Sequence, residues 1–149
     1  MLTCRSILPL ALLAVAGCEL NPFLGENVFL TYTPNQVCQK FSIATQNQQG
    51  FYLQTWPDGA GIGPVGPELP PLEVAAPQQP STYSFLVGGY ARSIVPMDIA
   101  LRCLPDKPAV RVQFGVPVST PFRTQLRVTE NASKPEGLEV LVEQLTSTP

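Results

Sequence analysis

The feature that most narrows the fold of this chain is its punctuation. Seventeen prolines and eleven glycines are spread along it, and between them lie short runs in which apolar and polar residues alternate. A helix interior tolerates proline poorly, because the ring removes a hydrogen-bond donor and clashes with the preceding turn. Alternation with period two places successive side chains on opposite faces of a strand. Short β-rich runs separated by turn residues are the pattern of an all-β sandwich or barrel, and no run reads as a long helix.

The runs follow one another closely. Asn27 to Thr33 carries Val28, Phe29, Leu30 and Tyr32 and stops at Pro34-Asn35. Val37 to Thr45 alternates Val37, Gln39, Phe41 and Ile43 against Cys38, Lys40, Ser42 and Ala44. Cys38 thus falls out of phase with Phe41 and Ile43, so either a bulge separates them or Cys38 sits at a strand end. Gln46 to Gly50 is a polar hairpin connection into Phe51 to Trp56. Ser81 to Tyr90 puts Tyr83, Phe85 and Val87 on one face. Ser93 to Leu104 contains Pro96 and is expected as two pieces or as an edge strand that bends there. Its second half points Ile99, Leu101 and Cys103 the same way, inward.

Beyond the turn from Pro105 to Pro108, Val110, Val112 and Phe114 alternate with Arg111 and Gln113. Past Pro117 and Pro121, Phe122, Thr124, Leu126 and Val128 alternate with Arg123, Gln125 and Arg127. Leu138 to Leu145 has a mixed apolar phase and reads as a buried strand in preference to a short helix.

The least regular stretch is Pro57 to Pro80, where four glycines interleave with prolines 64, 67, 70, 71, 77 and 80. No helix or central strand accepts that density of proline. The stretch is expected as a long Pro/Gly-rich loop. It is either a polyproline-like arm for a partner or a crossover lying over its own sandwich.

Ahead of the β-rich region, Arg5 precedes an apolar run from Ile7 to Ala16, broken only by Pro9. The run is far short of the ~20 residues that span a bilayer and has the proportions of a signal-peptide core. Val15-Ala16-Gly17-Cys18 closes it and resembles the lipobox of bacterial lipoproteins. The resemblance implies cleavage after Gly17, a diacylglycerol on the thiol of Cys18, and an acyl chain on the new amino group. Each buried methylene contributes about 0.8 kcal/mol, so two or three chains hold a protein firmly where one does not. The expected organisation is a signal peptide over 1–17, a lipidated tether over 18–26 and one β-sandwich domain over 27–146 containing the 57–80 loop. In the enterobacterial pattern, aspartate after the cysteine favours retention in the inner membrane. Here that position is Glu19, which leans outward, toward the outer membrane.

Composition agrees with an exported protein. Charged residues make up 13% of the chain, against about 25% in a typical soluble domain, so the surface relies on Gln, Asn, Ser and Thr and suits packing against other proteins. Removing Arg5 with the signal takes the formal charge from −2 to −3. No Lys/Arg cluster appears, which argues against a nucleic-acid partner. Of four cysteines, Cys4 leaves with the signal and Cys18 is consumed by lipid, leaving Cys38 and Cys103 to pair in an oxidising compartment.

With no histidine in the chain, the Ser-His-Asp and Cys-His sets cannot be built, and two sulfurs alone do not complete a tetrahedral metal site. No cofactor, metal or catalytic residue is expected. Gly59 to Gly63 lacks the Lys-Ser/Thr ending of a phosphate loop. Arg111, Arg123 and Arg127 fall in the outward phase of two runs and are expected either as a basic stripe or as edge protection. Tyr52 and Trp56 share a phase and read as core ahead of a contact site.

The order Cys38, Trp56, Cys103 resembles an immunoglobulin domain in general architecture, but Leu101 stands where that family places its corner tyrosine. These observations lead to an all-β, two-sheet antiparallel sandwich of seven or eight strands tied by Cys38 and Cys103. The expected function is that of a lipid-anchored, non-enzymatic subunit of a cell-envelope complex. The alternative is a lipoprotein that holds a small apolar ligand in a pocket between its sheets.

Overall fold

The computed structural model describes residues 22–46, 51–56, 61–66 and 68–146, with only the backbone in 51–56 and 61–62. Ten strands form among the described residues. They are β1 (Phe23–Thr33), β2 (Lys40–Thr45), β3 (Phe51–Trp56), β4 (Gly61–Val65), β5 (Leu72–Ala75), β6 (Ser81–Tyr90), β7 (Ile94–Leu104), β8 (Ala109–Pro117), β9 (Phe122–Glu130) and β10 (Leu138–Thr146). They build a two-sheet sandwich. The larger sheet has the order β10-β9-β1-β6-β3-β4 and the smaller one β5-β2-β7-β8.

The alternation read from the sequence sets which faces meet. The larger sheet turns Val28, Leu30, Tyr32, Tyr83, Phe85, Val87, Leu126 and Val128 inward, and the smaller one Phe41, Ile43, Met97, Ile99, Leu101 and Val116. Burying each such side chain contributes about 1.5–3 kcal/mol, and a slip of one residue would expose a whole set, so register is strongly specified. Phe41 pins the sheets together. It stacks on Tyr32 with ring centroids 4.8 Å apart and meets Tyr83 edge-on at 5.6 Å.

Four expectations change. First, the strands number ten rather than seven or eight, because Pro57 to Pro80 is not simply a loop. It supplies β4 and β5, one edge strand of each sheet. An edge strand has a ladder on one side only, so it accepts proline where a central strand does not; Pro64 sits opposite Tyr52 in such a place. Second, the sheets are not wholly antiparallel: β1 and β9 run parallel, from Phe29 opposite Gln125 to Thr33 opposite Thr129.

Third, β1 begins at Phe23, pairing Phe23 with Tyr90 and Glu26 with Val87, so residues 23–26 belong to the sheet and not to a tether.

Fourth, β7 is one continuous strand lying between β2 and β8 and is not split at Pro96. The carbonyls of Asp98 and Leu104 turn toward β2. Pro96 shares their phase, so its missing N–H faces beyond the last β2 pair, Thr45 with Ile99, and costs the ladder nothing.

The expected disulfide between Cys38 and Cys103 forms, with Cα atoms 5.2 Å apart, and it lies within one sheet. Cys38 lies just ahead of β2 and Cys103 on its neighbour β7, in the same sheet. The strand-end alternative for Cys38 therefore holds, and the immunoglobulin likeness stops at the general architecture.

Candidate functional site

At one end of the sandwich the chain leaving β1 curls around Glu130, the last residue of β9. The Tyr32 hydroxyl donates to Glu130 Oε1 at 2.6 Å, and the N–H groups of Asn35 and Val37 donate to Oε2 at 2.8 and 2.7 Å. Gln36, between them, is in the left-handed region with φ 57°, a turn that lets nearby N–H groups converge on one anion. The Cys38 N–H contributes as well.

Glu130 is buried, only 2% exposed. Burial alone pushes its carboxyl up, but the hydrogen bonds from Tyr32, Val37, Asn35 and Cys38 outweigh it and hold the group below the ordinary glutamate range. The Tyr32 hydroxyl is pushed far up, first by burial and then by its bond to the Glu130 carboxylate. Chemically this is a charge held in place with its lone pairs occupied. The signal for it was present in the sequence, since Glu130 shares the inward phase of Leu126 and Val128.

Beside this cradle lies a cavity of about 190 Å³, lined by Asn35, Gln36, Gln78 and Glu130 together with Pro34, Pro77 and Cys38. Its lining is mainly polar, unlike the apolar pocket expected of a lipid binder. Cys38 reaches the cavity, whereas Cys103 is fully buried. Gly137 covers the bond from the other side. Its φ is +70°, and a Cβ there would lie 3.2 Å from both Cys103 Sγ and Val37 Cγ1.

The three arginines do not form a stripe. Arg111 lies on the outer face of the smaller sheet and grips Asp98, Nε to Oδ1 at 2.9 Å and a terminal nitrogen to Oδ2 at 2.6 Å, while Gln113 Nε2 donates to Oδ2 at 2.8 Å. The Arg111 and Gln113 bonds hold the Asp98 carboxyl below the usual aspartate range. On the larger sheet, Arg127 pairs with Glu143 at 2.9 Å, and Arg123 lies over the Phe29 ring, 4.8 Å from its centroid. The sequence could not reveal this separation, because β8 and β9 are consecutive in the chain but belong to different sheets.

Cys18, the expected lipidation site, and the side chains of Tyr52 and Trp56 lie outside what is described. The nearest described part of the chain to Cys18 is Pro22, whose carbonyl accepts the Ala91 N–H at 2.9 Å. Among the described residues no helix is long and apolar enough to cross a membrane, and no group of three or more His, Cys, Asp or Glu side chains is placed to hold a metal. The fold and the cradle thus define a disulfide-stapled, two-sheet β-sandwich. No protein family matches the chain, and comparison with curated proteins and with solved structures gives no significant match.

Proposed function

We propose that this protein is a lipid-anchored component of the bacterial cell envelope, acting without catalysis as a structural or assembly subunit of an envelope complex. The observation that carries the reading is Val15-Ala16-Gly17-Cys18, a lipobox placed four residues ahead of Pro22, where the sandwich begins. Three features support it. The Cys38–Cys103 disulfide suits an exported domain. Two short edge strands, β4 with Pro64 and β5 just after Pro71, offer strand borders to a partner. The two best-held carboxylates, Glu130 and Asp98, are engaged in structural bonds.

On the enterobacterial pattern, Glu19 after the cysteine leans toward the outer membrane over the inner one. The test is gentle detergent extraction of the tagged protein from its host, with mass spectrometry of the mature N-terminus and of whatever co-purifies. An acylated Cys18 and a stoichiometric set of envelope proteins are expected. A solitary monomer at native abundance, or a Cys18→Ala variant that fractionates like wild type, would overturn the reading.

A further inference from the structure

The end of the sandwich where the chain enters differs from the Glu130 end. Phe23, Leu86, Tyr90 and Ile94 are exposed there by 66, 53, 56 and 71%. They cannot be separated from the entry point. Pro22 is bonded to Ala91, and the β6–β7 turn is bonded to the β8–β9 turn through Arg92 and Val118.

Phe23, Leu86 and Tyr90 share the outer face of the larger sheet, and Ile94 stands on the opposite outer face of the sandwich at the same end. Phe23 meets Tyr90 edge-on at 5.4 Å. The paired glycines Gly25 and Gly88 leave room for rings and methyls to lie flat. A Cβ on Gly88 would come within 2.8 Å of the Phe23 ring, and one on Gly25 within 2.8 Å of Leu86. On the outer face of the smaller sheet, Ile94 lies over Gly115 in the same way.

Exposed Arg92 sits in the turn between Tyr90 and Ile94, and Glu26, within β1, accepts the Ser119 N–H. At the opposite end cations and acids mix, Lys107 beside Asp106 in the β7–β8 turn and Lys134 near Glu136 in the β9–β10 turn. Exposed aromatic and aliphatic side chains with a cation beside them are the composition that settles at the headgroup level of an anionic bilayer. Cys18 precedes Pro22 by four residues, a reach of at most ~14 Å even when fully extended, so a lipidated Cys18 keeps this end within contact of headgroups.

We infer that this end rests on the membrane, with Phe23, Leu86, Tyr90 and Ile94 in the interfacial region, Arg92 toward the phosphates, and the Glu130 cradle and its cavity pointing away from the bilayer. The inference rests on lipidation of Cys18 under the proposed function. It adds the orientation and the contact surface.

The test uses full-length protein purified from its host and reconstituted into phosphatidylethanolamine/phosphatidylglycerol vesicles containing dibrominated phosphatidylcholine. Tyr90→Trp and Lys107→Trp are compared with wild type, whose native Trp56 pairs with Thr82 toward the Glu130 end and supplies the baseline. The emission added by Tyr90→Trp is expected to lose most of its intensity to the bromolipid, and that added by Lys107→Trp to keep it. Equal, baseline quenching of both variants, in protein whose mass carries the diacylglycerol, overturns the orientation and leaves the anchor standing. If the Tyr90→Trp emission instead moves to the blue only when solubilised envelope proteins are added, the surface belongs to a protein partner and the inference fails. A mature N-terminus without the acyl mass overturns the anchor and this orientation together.

Discussion

Tyr32 and Glu130 stand 98 positions apart and share a hydrogen bond of 2.6 Å. The contact exists because β1 and β9 run side by side in parallel, a pairing that only a long excursion of the chain allows. It joins the second-last residue of β1 to the last residue of β9, and through Asn35 and Val37 it organises the segment that leads to the disulfide.

The carboxylate, rather than the phenol, should therefore be the hub. Tyr32→Phe removes one bond to a charged acceptor and is expected to cost about 1.5–3 kcal/mol. Glu130→Ala leaves the Tyr32 hydroxyl and the N–H groups of Asn35 and Val37 without their acceptor and should cost roughly 3 kcal/mol or more. Urea midpoints of the two variants give the order, and a costlier Tyr32→Phe would contradict it.

Stability should fall on both sides of a broad plateau. Glu130 and Asp98 have folded-state values held below their ordinary ones. The unfolded chain therefore takes up protons first as the pH drops, and their contribution is lost below about pH 4. Tyr32 and Tyr83 are raised, so the unfolded chain loses its phenolic protons first, and stability declines above about pH 10. Urea unfolding across pH 2–12 checks both limbs. Glu130→Gln should flatten the acid limb in part, leaving the share due to Asp98.

The disulfide closes a separation of 65 residues, for which the chain-entropy model gives about 4 kcal/mol. A Cys38→Ala/Cys103→Ala protein is expected to be less stable by about that amount and insensitive to reductant. Denaturation of wild type with and without dithiothreitol, beside the double variant, measures it. Equal stability of all three would mean that the staple does nothing.

Two glycines separate packing that can yield from packing that cannot. A Cβ on Gly89 would lie 2.5 Å from Val95 Cγ2 and 2.9 Å from Val118 Cγ2. Both valines are buried and stiff at χ1, so Gly89→Ala should cost about 1–3 kcal/mol. A Cβ on Gly115 would meet Ile94 Cγ2 at the same 2.5 Å, but Ile94, equally β-branched, is 71% exposed and has open solvent for another χ1 rotamer, so Gly115→Ala should cost less than Gly89→Ala. Melting temperatures of the two variants decide it.

The β-character and the strand faces were readable from particular residues. Tyr83, Phe85 and Val87 share a phase, as do Ile99, Leu101 and Cys103, and all six are buried. The prolines misled in two places, for one reason. Whether a missing N–H matters depends on whether a neighbouring strand faces it, and Pro64 and Pro96 lie where none is disturbed. Glu130 went unread because an acid in an apolar phase is an anomaly until its donors are known, and the closest of them lie more than 90 positions away.

What the sequence by itself determined is local: alternation that assigns each strand a buried face, turns where proline and glycine break that alternation, and two cysteines left to pair in the domain. Which strands become neighbours was decided by tertiary structure alone. The parallel β1–β9 pair, the edge positions of β4 and β5, the placement of both cysteines in one sheet, the donors around Glu130 and the gathering of Phe23, Leu86, Tyr90 and Ile94 at one rim all depend on contacts between residues distant in the chain. Period-two patterning specifies the face of a strand but not its partner, because many pairings bury the same apolar face and only the packing of the whole core distinguishes them.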